Sequence, residues 1–225
     1  MIKRLGEACP DILRVYGRSI EDRDYPVPGR IFLSGKSVRN SKSDPELKDI
    51  TLHHIIRRFG KPHADEIKAF DKKFKDPNYI PDQNDAKRYK SLVRKASVEE
   101  LKAHDIILCT TAVGTNPKVT KGTESSIFQL IIDEAGMCPE PNCLAPIIAT
   151  NAKQVVLIGD HKQLRPIILC KQAAELGLDR SLFERYADTN SAVFTMLDTQ
   201  YRMVSERKIM LMYDLVDTRF TFVFV

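Results

Sequence analysis

The sequence predicts an α/β protein built on a parallel sheet, and three observations carry this. Leu130-Ile131-Ile132 and Val155-Val156-Leu157-Ile158 are short apolar runs of the kind that form strands buried on both faces. A helical stretch over about 142–150 lies between them, and strand, helix, strand is the unit of a parallel sheet. Both runs end in polar groups, Asp133-Glu134 after the first and Gly159-Asp160 after the second. Ligands of open α/β sheets bind outside the carboxyl ends of the strands, so these polar ends mark the candidate site. Two carboxylates there could divide the work of nucleotide hydrolysis, one holding Mg²⁺ and one orienting or deprotonating water. The same residues also read as a strand followed by an acidic helix start.

In chain order, Ile12-Leu13-Arg14-Val15-Tyr16-Gly17 reads as a short strand ended by glycine. Residues 18–46 read as loop, punctuated by Pro26, Pro28, Gly29, Gly35 and Pro45. Within them Gly35-Lys36-Ser37 imitates the end of a phosphate-binding loop, G-x-x-x-x-G-K-[ST]. The pattern requires glycine where Arg30 stands, and Gly29 is one residue out of place. This stretch therefore reads as a surface loop.

Residues 47–103 read as helical. Leu47, Ile50, Ile55, Ile56 and Phe59 form one stripe, ended by Gly60-Lys61-Pro62, and Ile67, Phe70 and Phe74 form a second. A basic third helix spans about 82–95, and Ser97-Val98-Glu99-Glu100 reads as a capping box that opens a fourth. His53, His54 and His63 have no ligand spacing with cysteines or acids and read as structural or surface residues.

Asp105-Ile106-Ile107-Leu108-Cys109 reads as a core strand ending in Thr110 and Thr111. Strand-end hydroxyls before a glycine turn can meet a phosphate backbone, or can simply close a strand. Lys118 and Lys121 follow in an expected flexible loop. Helices are expected at about 170–176, ended by Gly177, and at 180–187, with a further strand from Ala192 toward Leu197. Arg219 to Val225 is a β-prone tail of the kind that pairs or aggregates when uncovered.

Composition narrows the function classes. The length suits one core with a smaller appendage. No apolar run approaches the ~20 residues of a membrane span, and no signal-peptide core follows Met1, so no membrane partner is expected. The five cysteines, Cys9, Cys109, Cys138, Cys143 and Cys170, are odd in number and scattered. They read as reduced thiols of an intracellular protein, nuclear or cytoplasmic. Cys138 and Cys143 have only each other nearby, which argues against a zinc site there. Residues 1–100 hold 22 Lys and Arg against 16 Asp and Glu, a net of +6, whereas the remainder nets −1. A polyanion, if bound, would meet the first half; the alternative is an ordinary solvated surface.

Three strings occur in order: DEAG at 133–136, GDHKQLRP at 159–166 and QYRM at 200–203. In this order and spacing they resemble the superfamily 1 helicases of the nonsense-mediated-decay and senataxin type. The longer strings IIDEAGMCPEPNCLAPI and QVVLIGDHKQLRPIILCKQAAELGLDRSLFERYA are most similar to the zinc-finger helicases of that branch. The resemblance implies a partial RecA-like fold of the P-loop NTPase class, with residues 1–203 in the first RecA-like domain, residues 18–103 as a loop and helical insertion, and residues 204–225 as a divergent tail. It implies ATP as substrate, Mg²⁺ as cofactor, and single-stranded nucleic acid, RNA foremost, as partner. Residue by residue, Asp133 would hold Mg²⁺ and Glu134 would activate the attacking water. Gln163 would sense the γ-phosphate, Arg202 would meet the phosphates, Asp160 would support the metal or the loop, and Thr110 and Thr111 would touch the nucleic acid.

One part of the family pattern is missing. No G-x-x-x-x-G-K-[ST] occurs in the 225 residues, and most of a second RecA-like domain is not represented. The expectation is an ATP-dependent helicase fragment with weak or no ATPase activity alone. The alternatives are a catalytically inactive nucleic-acid-binding module and a coactivator-like protein-interaction fragment.

Overall fold

The structure, a computed structural model, describes residues 11–27, 42–76, 78–80, 82–123, 126–189, 191–197 and 220–224. Two units are distinguished, residues 1–124 and 125–225. In the first, β1 (Ile12–Arg14) is followed by α1 (Arg18–Asp24), a 3₁₀ turn (Pro45–Ile50), α2 (Leu52–Ile55), α3 (Ala64–Phe74) and α4 (Gln83–Ala103). Then come β2 (Ile106–Leu108), α5 (Thr111–Gly114) and α6 (Pro117–Thr123). β1 and β2 pair in parallel, Leu13 opposite Ile107. Leu13, Val15, Leu52, Ile56 and Ile67 are buried at the centre of the core, with Tyr89, Leu92 and Leu101 of α4 completing it. Each such aliphatic side chain contributes roughly 1.5–3 kcal/mol on leaving water.

Several expectations are corrected here. Part of the segment read as loop is helical, since α1 occupies Arg18–Asp24; the Gly35-Lys36-Ser37 decoy lies outside the described residues. The stripe from Leu47 to Phe59 is not one helix. Thr51 interrupts it in an extended conformation (φ −91°, ψ 123°), bridges in parallel to Arg14, and donates its hydroxyl to the Leu47 carbonyl at 2.6 Å. A β-branched residue fits this sheet-edge position better than a helix interior. The capping box at Ser97 does not form either. α4 runs unbroken through it, and the buried Ser97 hydroxyl donates to the Val93 carbonyl one turn back at 2.6 Å. Lys118 and Lys121 sit on α6 rather than in a loop, with Lys118 Nζ 2.7 Å from Glu21.

In the second unit, β3 (Gln129–Ile132) and a 3₁₀ turn (Ala135–Met137) lead into α7 (Glu140–Thr150) and β4 (Gln154–Gly159). α8 (Lys171–Ala173) continues into a π turn (Ala174–Leu178), followed by α9 (Leu182–Thr189), β5 (Val193–Leu197) and β6 (Phe220–Phe224). β3 and β4 pair in parallel, Ile131 opposite Val156, with α7 between them in sequence as expected. Phe183, Leu157, Leu182 and Cys143 are fully buried in this unit's core. Gly177, expected to end a helix, does so at φ 91°, where glycine is least strained.

The sheet order is β3-β4-β6-β5. Among the described residues β3 is therefore an edge strand, and Ile131 is 55% exposed rather than buried on both faces. The β-prone tail is placed between two strands: β6 pairs antiparallel with both β4 and β5. Among the described residues, no helix is long and apolar enough to cross a membrane.

Candidate active site

The candidate site is built where β3 and β4 end side by side. Asp133 and Glu134 follow β3, and Asp160 follows β4. Parallel pairing puts both polar ends on the same edge of the sheet. Two glycines let the strand ends touch. A Cβ on Gly136 would lie 2.6 Å from the Asp160 carbonyl oxygen, and one on Gly159 would lie 2.7 Å from the Gly136 nitrogen. The DEAG turn and the GDH strand end thus meet backbone to backbone, and no side chain larger than hydrogen fits between them.

The acidic pair is exposed. Asp133 Oδ1 accepts the Glu134 backbone N–H at 3.0 Å. Glu134 itself is left-handed, φ 54° and ψ 36°, a conformation that costs a non-glycine residue ~1–2 kcal/mol. The strain falls on the residue carrying the second carboxylate, as is common at functional turns. Replacing Glu134 by glycine is expected to raise stability by ~0.5–1 kcal/mol, the relief being partly offset by glycine's larger unfolded-state entropy. Glu134→Ala, which keeps the strain, should not raise it. Urea unfolding of both variants decides, and destabilisation by Glu134→Gly would refute the strain.

Asp160 is 7% exposed and fully engaged. Its Oδ1 accepts the Lys162 N–H at 2.8 Å, and its Oδ2 accepts Gln163 Nε2 at 2.8 Å. Asp160 therefore holds the loop and fixes the exposed Gln163 amide. Arg165 secures the far end of that loop on Glu184 at 2.7 Å. The His161 ring lies 6.0 Å from that of Phe183. Just past the acidic pair, Cys138 lies beside the buried Cys143, and that neighbour together with burial raises the Cys143 thiol above its ordinary range.

Of the expected site residues, Asp133, Glu134, Asp160 and Gln163 share this edge. Arg202 lies outside the described residues. Thr110 and Thr111 belong to the first unit, at the carboxyl end of β2. Thr110 is exposed and caps α5, its carbonyl accepting the Val113 and Gly114 N–H groups at 2.9 Å each, and Thr111 is half-buried. The carboxylates offer the hard oxygen donors that Mg²⁺ prefers.

The sequence reading also missed a cluster in the first unit. Asp24, at the end of α1, comes within ligand distance of His53 and His54, with all three donor atoms within 4.8 Å of one another. Burial pushes His53 down; burial and the neighbouring His53 push His54 down to about 4. Burial raises the Asp24 carboxyl, but hydrogen bonds from Ser43 and His53 leave it below its usual range. No local signal marks this cluster, because Asp24 lies in a stretch read as loop.

A family model described as an AAA domain matches residues 38–171. The 3'-5' exoribonuclease HELZ2 of Mus musculus is 40% identical over 207 residues, covering 90% of this chain and 7% of that protein. Its Homo sapiens counterpart is 41% identical over 194 residues, covering 85% of this chain and 6% of the relative. The Regulator of nonsense transcripts 1 homolog of Drosophila melanogaster is 34% identical over 196 residues, covering 87% and 14%. The chain thus spans a small fraction of these relatives' length. Taken with the partial RecA-like α/β fold, these matches place it: the chain belongs to the UPF1-like superfamily 1 helicases.

Proposed function

We propose that this chain carries the hydrolytic edge of an ATP-dependent nucleic-acid helicase within the first RecA-like domain. The observation that supports this most is the meeting of the DEAG turn and the Asp160–Gln163 loop at one sheet edge through Gly136 and Gly159. Asp133 would hold Mg²⁺, which would neutralise developing phosphate charge when bound, while Asp160, with both oxygens engaged, would hold the loop. Glu134, exposed on a strained turn, would orient and deprotonate the attacking water. Gln163, fixed by Asp160, would report the γ-phosphate, and Arg202 would meet the phosphates as a planar cation.

Positioning is most of this catalysis, and the 225 residues contain no G-x-x-x-x-G-K-[ST] to cradle the β- and γ-phosphates. The isolated chain is therefore expected to hydrolyse Mg-ATP at background rate. A phosphate-release assay with the wild type and Glu134→Gln tests this; robust hydrolysis lost in Glu134→Gln would overturn the dependence on that loop.

A second reading, nucleic-acid binding without catalysis, draws on the first unit. A cavity of about 470 Å³ there is lined by Lys90, Arg94 and Lys121, by Arg18 paired with Asp22, by Glu21, and by Tyr16 and Tyr25. Cations beside an aromatic ring suit a single strand, which they would bind mainly through its phosphates, with Tyr16 the candidate for a stacked base. Binding to single-stranded RNA is expected to weaken steeply with salt. Calorimetry at two salt concentrations checks it, and no RNA binding at low salt would leave the protein-interaction reading.

A further inference from the structure

We propose that Asp24, His53 and His54, with the Ser43 hydroxyl as fourth donor, form a structural zinc site in the first unit. Four donor atoms converge here. Asp24 Oδ2 lies 2.8 Å from His53 Nε2, 3.5 Å from His54 Nε2 and 2.5 Å from Ser43 Oγ. Ser43 Oγ lies 2.9 Å from His54 Nε2. A tetrahedral zinc with bonds of ~2.0–2.1 Å separates its ligand atoms by ~3.3 Å. These four separations lie within ~0.8 Å of that, and the Asp24, His53 and His54 donors all lie within 4.8 Å of one another, so side-chain rotations would open the sphere.

Adjacent residues on a helix point about 100° apart, yet His53 and His54 of α2 bring both Nε2 atoms to one carboxylate oxygen, with ring centroids 4.4 Å apart. One of the two imidazoles has outer support, while the buried His53 Nδ1 has no hydrogen-bond partner. His54 Nδ1 is 2.9 Å from the Tyr25 hydroxyl, the kind of partner that fixes the ring of a ligating histidine.

Charge points the same way. The Asp24 side chain is 8% exposed, and among the described residues its ion-pair contacts are the two imidazoles. A buried carboxylate is costly without a cation, and a divalent ion would supply one. Two imidazoles, a carboxylate and a hydroxyl suit zinc better than calcium or magnesium. His53 and His54 side chains are only 3% and 16% exposed, so the site is closed and its role is structural. The ion would tie the end of α1 and the Ser43 segment to α2.

The test uses the whole chain, stripped with a chelator, freed of it, and titrated with Co²⁺ and then Zn²⁺. One equivalent of Co²⁺ should give the intense visible bands of tetrahedral coordination, which Zn²⁺ then removes. Asp24→Asn and His54→Gln should each lower zinc affinity at least ~100-fold, and Tyr25→Phe ~10-fold, as expected for loss of an inner and an outer partner. Cys138→Ser/Cys143→Ser should bind as the wild type does. X-ray absorption of the zinc-loaded wild type gives a readout independent of any variant's folding: two imidazoles with oxygen neighbours are expected. Sulfur neighbours, zinc retained in Asp24→Asn/His54→Gln, or a folded wild type that takes up no stoichiometric zinc would each overturn the proposal.

Discussion

Gly136→Ala is expected to destabilise the second unit by ~3 kcal/mol, and Gly159→Ala by a similar amount. The cause is contact and not backbone conformation, since neither residue is among those with positive φ. The added methyl carbon would lie 2.6 Å from the Asp160 carbonyl oxygen in one case and 2.7 Å from the Gly136 nitrogen in the other. Both obstacles are main-chain atoms, which cannot rotate away, so the DEAG turn and the end of β4 must separate. Overpacking of a well-filled interior costs ~1–3 kcal/mol, and rigid neighbours put this case at the upper end. Gly177→Ala is the control. It carries φ 91° with no atom within 4 Å of the new carbon, so it should cost only the ~1 kcal/mol of a left-handed alanine. Urea unfolding followed by far-ultraviolet circular dichroism separates the two. Equal losses at Gly136 and Gly177 would mean that the strand ends are not in contact. Separating the strand ends would also move Asp133 and Glu134 away from Asp160 and Gln163, the residues of the proposed site.

How much of this edge was legible in the sequence depends on how local its causes are. β4 is found at Gln154–Gly159 as expected, because four successive β-branched and aliphatic residues before a glycine leave few other conformations. The parallel β3-α7-β4 unit was legible for the same reason. The exposure of Ile131 was not, since it follows from β3's place at the edge of the sheet, and strand order is a long-range property. The pairing of β6 with β4 and β5 is long-range too. At Thr51 and Ser97 the pattern pointed to the wrong local structure because tertiary partners decided: a bridge to Arg14 at the first, and at the second the burial of a hydroxyl that a helix can satisfy internally. Asp133, Glu134, Asp160 and Gln163 were legible as a motif. What no motif displayed is that Asp160 spends both its oxygens on the loop that presents Gln163.

Arg57→Met is expected to cost the first unit ~3–5 kcal/mol, the largest single effect anticipated in this chain. Arg57 is 7% exposed, hydrogen-bonds three groups at once and stacks on a fourth. Its Nε donates to Asp71 Oδ2 at 2.6 Å, and its Nη2 to Asp71 Oδ1 at 3.2 Å and to the Tyr89 hydroxyl at 2.7 Å. Nη1 donates to the His53 carbonyl, and the guanidinium stacks 3.5 Å above the centre of the Tyr25 ring. Burial alone would lower the Arg57 pKa, but the Asp71 hydrogen bond and the surrounding phenols leave it raised, so the cation is secure. Methionine fills much of the volume and leaves the Asp71 carboxylate, 12% exposed, without its cation. That uncompensated charge is the main cost, because the net worth of the pair over an apolar replacement is small. The double variant Arg57→Met/Asp71→Leu should therefore recover most of the loss, and Arg57→Lys should lose roughly half of it, since lysine keeps the charge but not the planar fork. A double-mutant cycle measured by urea unfolding decides between the two origins. If the double variant is no more stable than Arg57→Met, the loss comes from packing on Tyr25 and Tyr89 and not from the stranded carboxylate. Arg57 neighbours His53 through its carbonyl, so Arg57→Met should also loosen the Asp24–His53–His54 cluster, and zinc affinity should fall with it.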